Sequence, residues 1–297
     1  MNKRKLRDFI GTKLMLMGTL FISVLFFLIL ILLLFRSSLV LESHSITDVL
    51  FSSIWNPDAG DFGLAAVIID TILVTGIALV IAIPISLLSA IYIVEYAPLR
   101  IRRIIRPFVD VLAGVPSVVY GLCAFIFLVP FVRDVVAPWF GAQSTGLSIF
   151  TASLILSVMV FPIIISLCIE SFDAIPIALK EASLSVGATK WETVKKVVLR
   201  ASAPSVIAAI LLGFGRAFGE TIAVNMVIGG MPRLPSSLFN PGETLASLIA
   251  SKYGELMSIP IYESALMLVA LILFIVVLLF YLLGFLILRR AKKRWNY

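Results

Sequence analysis

The chain has 297 residues, of which 61% are hydrophobic and 14% charged, and its formal net charge is +7. Soluble globular domains carry about 25% charged residues, so the composition excludes that class and indicates a protein with several membrane spans. The positive charge indicates basic loops on one membrane face, and no nucleic-acid partner is expected.

Six apolar segments are long enough to cross about 30 Å of hydrocarbon at about 1.5 Å per residue. The predicted spans are 13–35, 64–94, 107–132, 147–169, 203–229 and 261–288. The second is longer than one crossing requires, so tilt or a break near Pro84 is expected. Pro116 and Pro162 also fall inside predicted spans, where a tolerated kink is the simplest interpretation. The predicted fold is therefore an all-α integral membrane protein with six transmembrane helices.

The spans divide the chain into five parts with different environments. These are a cytoplasmic N-terminus (1–12), a first transmembrane helix (13–36), an outer loop (37–63), a membrane core (64–288) and a basic tail (289–297). Within the core, 173–202 is a cytoplasmic loop and 231–260 an outer loop. Lys and Arg concentrate before the first span, between the second and third, within 173–202 and after the last. Since basic loops stay inside, both termini are predicted to be cytoplasmic.

The N-terminal segment resembles a secretion signal only superficially. Its apolar run of about 22 residues exceeds the h-region of a signal peptide, so a retained anchor in the lipid bilayer is expected. Cys123 and Cys168 lie within predicted spans and His44 stands alone in the outer loop. These residues predict neither a disulfide nor a metal site.

Residues 175–204 form a polar segment between long apolar ones, and they carry the start and stop signals of two short helices. Asp173 can cap the first helix, and Pro176 suits its first turn. Gly187 can end that helix in a left-handed conformation. Thr189 and Glu192 stand at capping-box spacing and start the second helix. An ordered cytoplasmic hairpin predicts a docking site for a soluble protein.

Motifs for enzymatic catalysis are missing from the sequence. The chain has no G-x-x-x-x-G-K-[ST] phosphate loop, no H-E-x-x-H and no G-x-S-x-G. We therefore expect no enzyme activity and no cofactor in this chain. Active transport would draw its energy from another polypeptide or from an ion gradient.

The predicted fifth span contains two charges. Arg216 and Glu220 are four residues apart, hence on one helix face and able to pair. An unpaired Arg at mid-membrane costs about 2.5–3.5 kcal/mol on insertion scales. Gly215 and Gly219 form a G-x-x-x-G step at which a second helix can approach closely.

Two interpretations of this charged helix stay open. In one, the ion pair only fixes the register of the helix. In the other, the planar donor fork of Arg216 binds a phosphate-like anion, and Glu220 holds Arg216 while the pathway is empty. Thr221 and Asn225 continue the polar side of the helix and can donate hydrogen bonds to the same anion.

The hairpin resembles the EAA loop of ABC importer permeases. The resemblance rests on Glu181-Ala182-Ser183, Gly187-Ala188 and the apolar residues before Pro204. In that family the loop forms coupling helices that sit in a groove of a soluble ATPase subunit, which implies this role for the five residues. Ser183 stands where a second alanine is usual, and Arg200 stands where a proline is common.

An amphipathic hairpin lying at the membrane interface is the alternative. Trp191, Val194 and Val198 would then form one stripe that faces lipid or neighbouring spans.

Three further stretches resemble the PstC-type permease subunits of phosphate ABC importers. They are AGVPSVVYGL (113–122), RAFGETIAVNMVIGG (216–230) and SLFNPGETLASLIASKYGE (237–255). The resemblance implies a type I importer permease in the cytoplasmic (inner) membrane, with phosphate passing Arg216 and Glu220. It also implies four kinds of partner or ligand: a PstA-like sister permease, two PstB-like ATPase subunits, the ATP that they bind, and an extracytoplasmic PstS-like phosphate-binding protein.

Two other functions remain open at this point. One is an ABC permease for another oxyanion, such as sulfate, molybdate or phosphonate. The other is a secondary anion transporter or channel, which would not need the hairpin between Glu181 and Gly187.

Overall fold

The computed structural model describes residues 3–256 and 259–295, which are mainly helical. The residues 1–2 and 296–297, at the ends of the predicted N-terminus and basic tail, lie outside this description, as do 257–258 of the predicted outer loop. The helices are α1 (Lys3–Arg36), α2 (Ser38–Ser43), α3 (Ile46–Phe51), α4 (Ala65–Tyr96), α5 (Leu99–Gly114), α6 (Ser117–Trp139), α7 (Ile149–Asp173), α8 (Ile177–Ser185), α9 (Lys190–Ala201), α10 (Ala203–Gly219), α11 (Ile222–Ile228), α12 (Leu245–Leu256) and α13 (Pro260–Trp295). Two short antiparallel strands, β1 (Trp55–Asn56) and β2 (Asp61–Phe62), pair in the predicted first outer loop.

Five segments of the described chain are individually long and apolar enough to cross a membrane. They are Phe9–Ser43, Ala65–Tyr96, Ser117–Trp139, Ile149–Asp173 and Pro260–Arg290. A sixth exists only if α9 and α10 are taken together, and these two helices are bent by 71° at their junction. The expected helical membrane architecture is present, but the fifth predicted span (203–229) is divided, because α10 ends at Gly219 and α11 begins at Ile222.

The third predicted span begins in the wrong place. Residues 107–116 belong to α5 and to the break after it, and the span itself starts at Ser117. Pro116 restricts Val115 to an extended conformation (φ −66°, ψ 130°), which ends the helix. Pro116 is therefore a boundary, not a kink inside a span. Pro84 and Pro162, in contrast, lie inside continuous helices, so the break expected near Pro84 is absent.

The centre of the fold is the packing of α4 against α7. Small buried residues of α4, among them Ala78 and Ala82, let the two helices approach closely, and Leu156 and Met159 of α7 fill the interface. The helix α10 joins this core at Gly213, which lies directly against Ile164 and Val160 of α7. The core thus holds α10, the helix that carries Arg216, at a fixed position.

A second apolar cluster joins α1 to α13 and covers the start of α4. Leu33 and Val40 pack with Leu268 and Val269, and Arg36 pairs with Glu263 at 2.8 Å. Most of α1 is exposed, so the first span lies at the periphery of the chain.

One end of the core, on the predicted outer side, is closed by a buried polar network between α4 and the segment that leads into α12. The Glu243 amide donates to Asp70 Oδ2 at 2.9 Å, and the Leu245 amide donates to Thr71 Oγ1 at 2.9 Å. Ser251 donates to Glu243 Oε1 at 3.0 Å. Within the described residues, Asp70 Oδ1 and Glu243 Oε2 are buried without a hydrogen-bond partner. Burial raises the pKa of Glu243, and the Ser251 hydrogen bond opposes that rise only in part.

This network predicts that stability falls as pH rises. A raised pKa means that the folded chain holds the Glu243 proton more tightly than the unfolded chain. The contribution of protonated Glu243 to the free energy of unfolding is complete below the pKa of the unfolded chain. It is lost as pH rises through the pKa of the folded chain, by up to about 1.4 kcal/mol per pH unit. Thermal unfolding in detergent between acidic and alkaline pH should show this decline, and Glu243→Gln should flatten it. The exposed Glu42→Gln is the matched control, and parallel pH curves for all three proteins would contradict the prediction.

Candidate coupling hairpin and anion pathway

The polar segment folds as a hairpin of α8 and α9 around Gly187. This glycine has φ +86°, in the left-handed region, and its amide donates to Leu184 O at 3.0 Å. The Ala188 amide donates to Ser183 O at 3.3 Å, which completes the turn. Nothing lies within 4 Å of the place where a Gly187 side chain would begin. The glycine is therefore required by backbone conformation and not by lack of space.

The predicted capping box at the start of α9 is confirmed. Glu192 N donates to Thr189 Oγ1 at 3.3 Å, and Thr189 N donates to Glu192 Oε2 at 3.0 Å. The hydrogen bond from the Thr189 amide, joined by those from its hydroxyl and from Lys196, lowers the pKa of the exposed Glu192 to about 2. The cap is thus fully formed at neutral pH.

The predicted cap at the start of α8 is wrong. Asp173 is the last residue of α7 and pairs with Arg102 and Arg106 of α5. The helix α8 instead starts after Pro176, whose side chain cannot accept a hydrogen bond. Two guanidinium groups from a neighbouring helix bind the carboxylate more strongly than a backbone N–H would. Asp173 therefore fixes the base of the hairpin to α5.

The hairpin has an inner and an outer surface. On the inner side, Val194 and Val198 are buried in the main core, and Ser183 lies within 3.0 Å of the Thr193 hydroxyl across the hairpin. On the outer side, apolar and charged residues are exposed, including Glu181, Ala182, Leu184, Val186 and Trp191, while Ala188 is partly buried. The stripe of Trp191, Val194 and Val198 is therefore divided between the two surfaces. Exposed apolar side chains beside a glutamate form a surface suited to another protein.

The charged helix is interrupted between its two charges, which corrects the predicted geometry. The helix α10 ends at Gly219, and Glu220 has an extended backbone (φ −72°, ψ 121°). Glu220 Oε1 accepts a hydrogen bond from Ala223 N at 3.3 Å and so caps α11. Among the residues described, no ion pair joins Arg216 to Glu220. Gly219 has a poor helix propensity and Glu220 has a competing backbone partner, which together favour the break.

Arg216 is exposed near the end of α10, beside the break in the span. Its positive charge lies close enough to the Tyr120 hydroxyl of α6 to interact with it electrostatically. That hydroxyl donates to Leu112 O at 2.9 Å, which connects α6 back to α5 across Pro116. Sequence reasoning did not single out Tyr120, because its approach to Arg216 depends on long-range packing.

The other residues predicted for the pathway lie just beyond the break. Thr221 Oγ1 donates to Gly219 O at 3.1 Å, so this hydroxyl is occupied by the backbone. Asn225 is partly buried in α11, and its backbone N–H donates to Thr221 O at 3.0 Å. Arg216 and Asn225 are therefore held on two separate helices, not along one continuous face.

The predicted G-x-x-x-G step behaves differently at its two glycines. A side chain at Gly215 would collide with the Tyr281 hydroxyl of α13, so close packing exists there. Nothing lies within 4 Å of the place where a Gly219 side chain would begin, so this glycine does not pack against a second helix in the described residues. A close backbone approach occurs at Gly121 of α6, where an added Cβ would lie 2.9 Å from Ala223 Cα of α11. This contact fixes α11 against α6, and the sequence analysis did not anticipate it.

Comparison with known protein families covers the helices that form this site. Residues 82–296 match the family described as "Binding-protein-dependent transport system inner membrane component". The chain belongs to this family. It is therefore a multi-pass inner-membrane permease, a transport component of an ABC transporter complex.

Curated relatives carry a narrower name. The phosphate transport system permease protein PstC of Pasteurella multocida is 36% identical, over 81% of this chain and 79% of that protein. The probable phosphate transport system permease protein PstC of Methanocaldococcus jannaschii is 32% identical, over 98% of this chain and 97% of that protein. The predicted resemblance to PstC is confirmed.

Solved structures share the fold of the permease. The MetNI methionine ABC transporter in an inward-facing conformation matches with a TM-score of 0.62 at 21% identity, over 80% of this chain and 99% of that chain. A bacterial alginate ABC transporter matches with a TM-score of 0.64 at 17% identity, over 97% and 99%. The predicted type I importer permease fold is confirmed.

Proposed function

We propose that this permease is the PstC-type subunit of an ATP-driven importer that moves inorganic phosphate across the cytoplasmic membrane. The observation that carries the proposal is Arg216, an exposed guanidinium on a largely apolar helix, with no ion pair among the described residues. An Arg facing lipid costs about 2.5–3.5 kcal/mol, so this face is best placed against a partner or a water-filled pathway. The curated relatives named as phosphate permeases support phosphate as the anion.

Arg216 supplies the chemistry that a phosphate pathway needs. Its planar fork can donate two parallel hydrogen bonds to a tetrahedral oxyanion. Glu220 fixes the break after α10 by capping α11, and so fixes where α10 ends. Thr221 and Asn225 remain candidates for secondary contacts with the anion.

The pathway is completed by a second permease. A groove of about 670 Å³ runs along α6, and its lining is almost entirely apolar, with Tyr120, Phe127 and Phe131 among the residues. The groove lies on α6, the helix whose Tyr120 lies near Arg216. We therefore assign it to the interface with a PstA-like sister subunit. Arg216 would then lie at the boundary between the two subunits.

Energy enters through the hairpin. The outer surface with Glu181, Ala182 and Val186 is assigned to a PstB-like ATPase subunit, which binds the ATP that this chain has no motif to bind. Two such ATPases, one for each permease, close on ATP and move the hairpins. A PstS-like protein delivers phosphate on the outer side, and both termini of the permease stay in the cytoplasm. This chain itself acts as a transport subunit without catalysis.

Reconstitution of the full complex tests the choice of anion. Stimulation of ATP hydrolysis by the binding protein should occur with phosphate and not with sulfate or molybdate. Stimulation by another oxyanion in place of phosphate would assign the permease to that anion. Stimulation by none of them would remove this chain from the ABC oxyanion importers.

A further inference from the structure

A partly buried ion pair joins the hairpin to the end of α4. Lys180 Nζ of α8 lies 2.6 Å from Glu95 Oε1, and the two side chains are only 20% and 11% exposed. Water therefore screens the attraction between Lys180 and Glu95 less than it screens an ordinary surface ion pair. The surrounding residues hold the two side chains in this geometry. By comparison, the pair formed by Lys196 and Glu192 on the same hairpin is 62% and 42% exposed.

A second contact joins the other helix of the hairpin to the same turn of α4. Lys190 Nζ of α9 lies 4.7 Å from the centroid of the Tyr96 ring, within range of a cation–π interaction. Glu95 and Tyr96 are consecutive residues. Both helices of the hairpin are thus attached to one short stretch of the chain.

That stretch is one of four π-helical turns among the residues that the structure describes. Residues Tyr92–Tyr96 form a π-helical turn, closed by a hydrogen bond from Ala97 N to Tyr92 O at 2.8 Å, and Pro98 follows. Single π-helical turns occur often at functional positions, because their wider hydrogen-bonding can rearrange locally. The rest of α4 is packed along α7 at the centre of the core, so a displacement of this turn is passed to the core.

The base of the hairpin is fixed separately. Asp173 pairs with Arg102 and Arg106, which hold the point where the chain leaves α7. The hairpin is therefore anchored at its base to α5 and attached at Lys180 and Lys190 to α4. Movement of its outer surface has a direct path into α4.

We propose that Glu95 and Lys180, assisted by Tyr96 and Lys190, are positioning residues that carry movement of the hairpin into α4. They set how much transport accompanies each ATP hydrolysed by the partner. The inference rests on the proposed function, since it takes the outer surface of the hairpin as the ATPase docking site. Glu95 and Lys180 are largely buried between the hairpin and α4, Tyr96 and Lys190 are more exposed, and none of the four is assigned to docking.

Charge neutralisation and charge exchange in the complete transporter test this assignment. The variants are Glu95→Gln, Lys180→Met and the exchanged double variant Glu95→Lys with Lys180→Glu, and the control is Lys196→Met in the exposed pair. The readouts are ATPase co-purification, the rate of ATP hydrolysis and the phosphate transported per ATP. We expect the ATPase to co-purify with each single variant. We expect each of these variants to transport at least about fivefold less phosphate per ATP than the wild type. The exchanged variant should recover most of that ratio, and Lys196→Met should leave it unchanged.

The outcomes separate transmission from structure and from docking. A normal ratio in both single variants overturns the proposal, and so does a loss of ATPase co-purification, which would place the pair in docking. A low ratio of phosphate to ATP that the exchanged double variant does not restore also overturns the proposal, because a folding defect would give the same result. If the single variants fail to fold, Lys190→Gln measures the same ratio through the Tyr96 contact. Wild-type complex that transports no phosphate contradicts the proposed function instead, and is tested first.

Discussion

Replacing Arg216 with glutamine is expected to lower ATP-driven phosphate uptake roughly 10- to 100-fold while the complex still assembles. Hydrogen bonds to charged groups contribute about 1.5–3 kcal/mol, and losing one would weaken the binding of phosphate by roughly the same factor as the expected fall in uptake. The side chain is exposed and has no described ion-pair partner, so its removal leaves no buried charge behind. Uptake of labelled phosphate into vesicles measures the effect, and co-purification of the partners verifies assembly.

Arg233→Gln is the matched control for this substitution. Arg233 is also an exposed arginine, but it lies in the segment that follows α11, in the predicted outer loop. The control should transport at the wild-type rate, which excludes a general effect of lost positive charge. Normal uptake by Arg216→Gln would remove Arg216 from the pathway and favour a purely structural role.

Replacing Gly187 with valine is expected to weaken the ATPase attachment roughly 5- to 30-fold. Its φ of +86° is strained for any side chain and most strongly for a β-branched one. A left-handed conformation costs about 1–2 kcal/mol for an ordinary residue, which gives that factor if the turn rearranges to escape the strain. Titration of the permease with purified ATPase measures the affinity directly.

Gly187→Asn separates backbone strain from bulk at the same position. Asparagine adopts the left-handed conformation far more readily than valine, and no atom lies within 4 Å to obstruct a side chain. The asparagine variant should therefore bind ATPase nearly as well as the wild type. Equal loss in both variants would mean that the surface contacts of Gly187, and not its conformation, matter for docking.

The hairpin was predictable because its signals are local. Gly187 ends a helix by backbone conformation, and Thr189 and Glu192 form a cap with each other three residues apart. Such interactions need no knowledge of the rest of the fold. The position of Asp173 was not predictable in the same way, since Arg102 and Arg106 reach it from a helix about 70 residues earlier.

The interior of the membrane core was predictable in content but not in geometry. Hydropathy located the apolar segments, but it does not distinguish a continuous span from two helices separated at Gly219 or at Pro116. Those breaks depend on backbone preferences and on capping by Glu220. The same reason explains why Arg216 and Glu220 are not paired, although they stand four residues apart in the sequence.

Tyr120 shows the limit of sequence reasoning about the candidate site. It lies almost 100 residues before Arg216, and α6 reaches this region by packing at Gly121 against Ala223 of α11, the helix that follows α10. Identifying such a neighbour requires tertiary structure. The charged residue itself was recognisable, because an arginine within an apolar segment is costly unless it serves a function.

The most direct test of the central claim is ATP-driven uptake of labelled phosphate by vesicles that contain the complete transporter, with sulfate and molybdate as competitors. The proposed function predicts uptake that requires ATP and the loaded binding protein, persists in excess sulfate or molybdate, and is lost in Arg216→Gln. Phosphate uptake that continues without ATP, or that sulfate or molybdate abolishes, would contradict a phosphate-specific ATP-driven permease.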